Sequence, residues 1–207
     1  MTHGKDFWDN EKLAKILRRG GVVVMPTDTI YGLVGRAENK ETVERIYKIK
    51  GRAPDKPCII LIGDVAQIEK FGIILSVPER NFFEQRQPRP TSVILDCENQ
   101  LFEYLHRGTN TLAFRLPASE KLRALLLETG PLIAPSANIE GEPPARNITE
   151  AKRYFGDSVD PVRGRKGSQR ASTSNGVDLY IDGGVVVGKA SRIIKLQKDS
   201  SVTVLRD

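Results

Sequence analysis

Hydrophobic positions recur along this chain in two rhythms. Between Asp9 and Arg19, Leu13, Ala14, Ile16 and Leu17 share one helical face, and Gly20-Gly21 supplies a stop. Val22 to Met25 reads as a strand buried on both sides, since no polar residue interrupts it. Asn39 is placed to cap a helix whose stripe is Val43, Ile46 and Tyr47 and whose end is Gly51. Cys58 to Ile62 predicts a second buried strand, followed by a short helix from Asp64 carrying Val65, Ile68 and Phe71. Strands are predicted again at Ser92–Leu95, Thr111–Arg115 and Leu132–Ala134. Ser119 caps a helix bearing Leu122, Leu125 and Leu126 that stops at Gly130, and Ile148–Phe155 forms another. Strand-like runs close the chain at Val177–Ile181, Val185–Val187, Ile193–Leu196 and Val202–Leu205. This alternation predicts an α/β (or α+β) domain around a mixed sheet.

Composition narrows the class. The 207 residues are 39% hydrophobic and 28% charged, enough for a packed core and too apolar for wholesale disorder. The longest apolar runs, such as Val22–Pro26 and Cys58–Ile62, fall far short of the ~20 residues a membrane helix needs. No secretory signal is read at Met1–Asp6, so a cytoplasmic location is expected. Two cysteines, Cys58 and Cys97, read as buried reduced thiols and are too few for a disulfide framework. Two histidines, His3 and His106, leave little room for a histidine-based triad or metal site. The net charge of +6 fits a phosphate-bearing partner or simple solubility equally well.

Two segments invite misreading. Gly183 to Lys189 matches the first seven positions of a phosphate-binding P-loop. Ala190 then replaces the magnesium-binding hydroxyl, and three valines suit a strand, so a hairpin is expected there. Pro161 to Gly176 carries Arg163, Arg165, Lys166 and Arg170, no acids, and a polar remainder. It predicts a mobile loop, either a solvated insertion or a flap that contacts phosphate or RNA.

Four clusters could carry chemistry. Pro26 to Leu33 follows a buried strand and offers Thr27, Asp28 and Thr29, as ligand grips or as turn formers. Lys50 falls on the apolar stripe of its helix, at its last turn, so it either snorkels out or points into a cleft. With Arg52 and Lys56 it supplies cations suited to a triphosphate, or it merely complements the helix dipole. Ser136 and Asn138, two apart after a buried strand, share a face. No Gly-x-Ser-x-Gly elbow and no plausible histidine base accompany Ser136, which argues against a serine nucleophile. Alternation sets Thr111, Ala113 and Arg115 on one face, natural for a pocket wall that binds a carboxylate.

Together these residues resemble a family. Pro26-Thr-Asp-Thr-Ile-Tyr-Gly-Leu33, Lys50-Gly-Arg52 with Lys56-Pro57, Arg115-x-Pro117, and Ala134-Pro-Ser136-Ala-Asn138 followed by Gly141 and Pro143 are similar to the YrdC-type L-threonylcarbamoyladenylate synthases, in order and spacing from about Gly20 to Gly156. The resemblance implies one YrdC-like domain over 1–207, an open twisted mixed sheet flanked by helices with a large positively lined cavity, and the basic loop at about 161–176. It implies synthesis of threonylcarbamoyl-AMP and pyrophosphate from L-threonine, bicarbonate and ATP, with Mg2+ accompanying the ATP and no catalytic residue beyond orientation and electrostatics. Lys50, Arg52, Lys56, Thr111, Ser136 and Asn138 would bind ATP; Thr27, Arg115 and Ser191 would bind threonine. A downstream threonylcarbamoyl transferase acting on tRNA would take the product. The competing reading is a non-catalytic module that binds double-stranded RNA or tRNA. Lys50→Ala and Arg52→Ala are expected to lose activity with little loss of stability. Three positions depart from the family pattern: Arg89 replaces a usual glycine, Arg192 follows Ser191 where threonine is typical, and Leu61 stands where some relatives carry histidine.

Overall fold

The computed structural model describes residues 7–85, 88–156, 176–196 and 201–207. Helix α1 (Glu11–Arg18) starts where the Asn10 side chain accepts a hydrogen bond from the Leu13 amide, and it buries Leu13, Ala14 and Leu17. Strand β1 (Val23–Pro26) runs out of its end and is buried at every position. Strand β2 (Tyr31–Arg36) returns antiparallel to it, pairing Val23 with Val34 and Pro26 with Tyr31. Helix α2 (Lys40–Lys50) is capped by Asn39 and ends at Gly51, whose φ of 61° is left-handed and therefore suits glycine.

Strand β3 (Ile59–Leu61) precedes a 3-10 helix, Val65–Phe71, capped by Asp64. Helix α3 (Val77–Glu84) opens with a reciprocal Ser76–Glu79 capping box. Next come β4 (Thr91–Asp96), α4 (Glu103–His106), β5 (Thr111–Arg115), α5 (Glu120–Thr129), β6 (Leu132–Ile133) and α6 (Ile148–Phe155). The last strands are β7 (Leu179–Tyr180), β8 (Arg192–Leu196) and β9 (Val202–Arg206). All nine join one mixed sheet in the order β7-β1-β2-β6-β3-β5-β4-β8-β9. The pairs β1/β7, β3/β5 and β4/β8 are parallel and the others antiparallel.

The pleat sorts the core into two layers. Val23, Met25, Val34, Leu61 and Leu132 face α1 and α5, meeting Leu13, Leu17, Leu122, Leu125 and Leu126. Val22, Val24, Leu33, Ile60, Leu112, Phe114 and Ile133 lie on the other face with Val43 and Ile46 of α2 and with Ile68 and Phe71. Each buried leucine or isoleucine contributes about 1.5–3 kcal/mol, so this two-sided cover anchors the sheet. Cys58 and Cys97 are free and buried, as the sequence predicts.

The end of the chain differs from expectation. Val177–Ile181 narrows to the two-residue β7, while Asp178 receives the Val22 amide at 2.7 Å and pairs with Arg45 at 2.9 Å. Val185–Val187 is no strand and Gly183–Lys189 no hairpin; the hairpin is β8–β9. Val185 and Val187 stay exposed because this segment is held by its backbone instead. Of the basic loop at 161–176, residues 161–175 lie outside the described residues; the Gly176 carbonyl accepts from Arg45. No described helix is long and apolar enough to cross a membrane.

Candidate functional site

Arg115 closes β5 on the face opposite Phe114, where its register partner is Leu61. Its guanidinium Nη2 donates to Asp28 Oδ1 at 2.8 Å and to Thr29 Oγ1 at 3.3 Å, although both lie in the β1–β2 connection. Strands β2 and β5 are separated by β6 and β3, a span of roughly 14 Å in a flat sheet at ~4.8 Å per strand. The β1–β2 connection therefore reaches across β6 and β3 to the end of β5. The Arg115–Asp28 pair is nearly sealed, with side-chain exposures of 4% and 8%. Arg115 Nε is buried and has no acceptor among the described residues. Thr27 stands beside this pair; its hydroxyl donates to the Ile30 carbonyl at 2.7 Å and lies 3.1 Å from that of Thr29.

Ser191 and Ser92 extend this polar surface, their hydroxyls 2.9 Å apart and both buried. Arg206 on β9 donates to the Ser191 carbonyl from Nε at 3.0 Å and from Nη2 at 2.7 Å. Burial and then the charge of Arg115 push the Arg206 guanidinium below its ordinary value. Arg206 escaped the sequence reading because an arginine at the end of an exposed strand carries no signal until β9 folds beside Ser191. Arg89 and Arg192, the two departing arginines, both pair with Asp207.

A second knot forms around Lys50. The side chain neither snorkels nor opens into a cleft; the residue is 1% exposed. Nζ donates to the Asn138 carbonyl at 2.8 Å, to Asn138 Oδ1 at 2.9 Å and to the Ser136 carbonyl at 2.9 Å, with Ser136 Oγ at 3.4 Å. An ammonium has three protons, so this lysine is saturated by the chain. It ties the end of α2 to the run after β6, which continues beside β2 through the Gly32–Ser136 bridge. Ser136 and Asn138 do meet on one side, around Nζ.

Arg52 spends Nε and Nη2 on the Lys56 and Pro57 carbonyls, both at 2.9 Å. Its Nη1 lies 3.5 Å from Glu140, which Lys56 also contacts at 2.8 Å. The hydrogen bond from Lys56 and the nearby cations hold the Glu140 carboxyl below its ordinary range. Thr111 lies apart, at the opposite end of β5 from Arg115, with its hydroxyl 3.1 Å from that of Thr109. A cavity of about 320 Å³ against α2, among Arg19, Asn39, Thr42, Glu44, Arg45 and Lys48, contains none of these residues. Among the described residues no three His, Cys, Asp or Glu side chains gather as metal ligands.

The P-loop lookalike becomes a strap across the hairpin. Tyr31 OH donates to the Gly184 carbonyl at 2.9 Å and accepts from the Gly183 amide at 2.9 Å. The Val186 amide reaches the Arg146 carbonyl at 2.8 Å, beyond the Ser136–Asn138 run. Gly188 presses on the Thr29 carbonyl so closely that a β-carbon would stand 1.7 Å from the oxygen. Gly188→Ala therefore has to lift the strap or displace Thr29, at a cost of about 1–3 kcal/mol. A thermal melt should show the loss, and hydrogen exchange should place it at residues 27–31 and 183–188. A change confined to other elements would remove the strap from this account.

Comparison with known proteins identifies the family. The family model Sua5_yciO_yrdC, described as "Telomere recombination", matches residues 15–174. The threonylcarbamoyl-AMP synthase of Bacillus subtilis (strain 168) is 36% identical over 132 residues, 63% of this chain and 38% of that protein. That of Nitrosococcus oceani is 31% identical over 156 residues, 75% of this chain and 84% of the relative. The crystal structure of P. abyssi Sua5 complexed with L-threonine superposes with a TM-score of 0.77 at 27% identity, covering 97% of this chain and 54% of that one. The chain thus spans little more than a third of the Bacillus protein and about half of the P. abyssi chain. On the family match, its relatives and the shared fold, the chain belongs to the Sua5/YciO/YrdC family.

Proposed function

We propose that the chain makes threonylcarbamoyl-AMP and pyrophosphate from L-threonine, bicarbonate and ATP. The observation that carries this reading is the buried Arg115–Asp28–Thr29 cluster, whose Arg115 Nε is unpartnered among the described residues, with the Lys50 cation knot tied to the adjoining β2–Ser136 run. Relatives named threonylcarbamoyl-AMP synthase support it.

Threonine's carboxylate takes the unpartnered Nε of Arg115, while Thr27 and Ser191 offer hydroxyls to its polar groups. The amine attacks bicarbonate, forming the N–C bond and expelling water to leave a carbamate. A carbamate oxygen then attacks the α-phosphorus of ATP, and the α–β phosphoanhydride bond breaks to release pyrophosphate. Orientation and charge neutralisation supply the catalysis, with no protein nucleophile. ATP enters as its magnesium complex.

Glu140 occupies the place of an anion between Arg52 and Lys56. Nucleotide phosphates displacing it gain both cations. Lys50 acts one step back, holding Ser136 and Asn138 in the shape they present to the nucleotide. Thr111 reaches the phosphates from the far end of β5. Product passes to a threonylcarbamoyl transferase acting on tRNA.

Pyrophosphate release tests the reading. It should require ATP, threonine and bicarbonate together, and serine should be used about 10- to 200-fold less efficiently, because one packed methyl is worth ~1–3 kcal/mol. Release independent of the amino acid would remove the threonine pocket, and tRNA binding without any release would favour the RNA-binding module.

A further inference from the structure

Arg107 stands just after α4 in a left-handed conformation, with φ 52° and ψ 37°. A long side chain seldom adopts that conformation without a reason, since glycine or asparagine fits it better. Its guanidinium lies over the Tyr47 ring, 3.9 Å from the centroid, and Nη1 pairs with Glu44 at 3.0 Å. Both contacts fix the group to α2. The other edge is unspent: Nε and Nη2 are buried and have no acceptor among the described residues. Those two nitrogens form the parallel fork with which arginine grips a carboxylate or phosphate. Neighbouring His106 repeats the deficit. Its Nδ1 accepts the Gly108 amide at 3.2 Å, which leaves the proton on Nε2, and Nε2 also has no described acceptor.

The surroundings point to an anion. Arg52 lies 6.0 Å from the same Tyr47 ring, and the Tyr47 hydroxyl donates to the Lys56 carbonyl at 2.8 Å. Arg52, Lys50 and Arg107 all act on the buried Cys58 thiol, which desolvation pushes up and they pull down. Arg107 thus belongs to the same electropositive cluster as the cation knot. It differs from its neighbours in what it has left to give: Lys50 is saturated, and the Arg52 fork is spent on backbone carbonyls. The loop from Arg107 also leads straight into Thr111 at the start of β5.

We propose that Arg107 clamps the polyphosphate of the bound nucleotide, an assignment that rests on the ATP reading above. A buried donor without an acceptor forfeits the hydrogen bond it would make in water. The side chain, 12% exposed, is therefore held at a cost that an arriving phosphate relieves. The guanidinium turns on its Tyr47 stack and offers the Nε/Nη2 fork to two phosphate oxygens. Glu44 steers the opposite edge, so the residue binds and orients without taking part in bond making.

Calorimetry on the full chain tests this with ATP, inorganic triphosphate and L-threonine as separate probes. Arg107→Lys keeps the charge and loses the fork, whereas Arg107→Ala loses both. Both variants should bind ATP and triphosphate about tenfold more weakly than the wild type, with threonine affinity unchanged. Should the alanine variant unfold, the lysine variant alone decides. Wild-type affinity for ATP in Arg107→Lys would overturn the fork while leaving the ATP reading intact. An equal loss for threonine would reduce Arg107 to a structural pin between α4 and α2. A wild-type chain that binds neither ATP nor triphosphate would remove the ATP reading and this assignment together.

Discussion

Arg115→Ala should abolish threonine-dependent pyrophosphate release and also destabilise the fold by about 3–5 kcal/mol, because it strands the Asp28 carboxylate in a buried pocket. The two losses are separable. In the double variant Arg115→Met/Asp28→Asn no unpaired charge remains, so most of the stability should return while activity stays absent. Urea denaturation of the single and double variants beside the wild type makes the comparison. If the double variant is as unstable as Arg115→Ala, the cost lies in packing and not in the stranded charge. If either variant keeps threonine-dependent turnover, Arg115 does not hold the substrate's carboxylate.

Lys50→Ala carries the second large effect, and the structure reverses the expectation of little loss of stability. Truncation leaves the Asn138 carbonyl and Asn138 Oδ1 without their donor, while the Ser136 carbonyl keeps the Asn138 amide. At ~1–3 kcal/mol per unsatisfied buried group, a total near 3 kcal/mol is expected after partial rescue by water. Burial, and then the charge of Arg52, lower the Lys50 pKa from 10.5 to about 8. Between those values the unfolded chain holds a proton that the folded one has released. Wild-type stability relative to Lys50→Met should therefore rise from pH 8 towards pH 10.5 and stay level below pH 8. A difference that shrinks across that window would show that the ammonium, not the neutral amine, is the favoured buried form.

The parts legible in the sequence are those whose cause is local. Helix α2 announced itself through Asn39, its apolar stripe and Gly51, and helix α5 through Ser119 and its leucines. Strand β1 was readable because it is apolar throughout and buried on both faces. Strand β2 was hidden: Gly32 and Gly35 break its pattern, and its first residues look like the end of a ligand loop. The valines of the strap suggested a strand because propensity favours one, but a close backbone approach and the Tyr31 hydroxyl decide that segment. Motif residues could be named from the chain, whereas what they touch could not. The saturation of Lys50 depends on atoms 86 and 88 residues away, and Arg115 reaches Asp28 only because the β1–β2 connection crosses to the end of β5.

The strap also sets an order of events in time. Tyr31 and Gly184 are 153 residues apart in the chain, and Val22 and Asp178 are 156 apart. Contacts of such sequence separation close large loops before they return any free energy, so they form late during folding. The β1–β2 hairpin is local and can precede them. A refolding chain should thus regain its helices and central strands while the pocket around Thr27 and Thr29 is still uncovered. In stopped-flow refolding, protection of the amides at residues 27–31 should be among the last signals to return, after far-ultraviolet dichroism has levelled off. Simultaneous recovery of both would mean that strap and sheet fold as one unit.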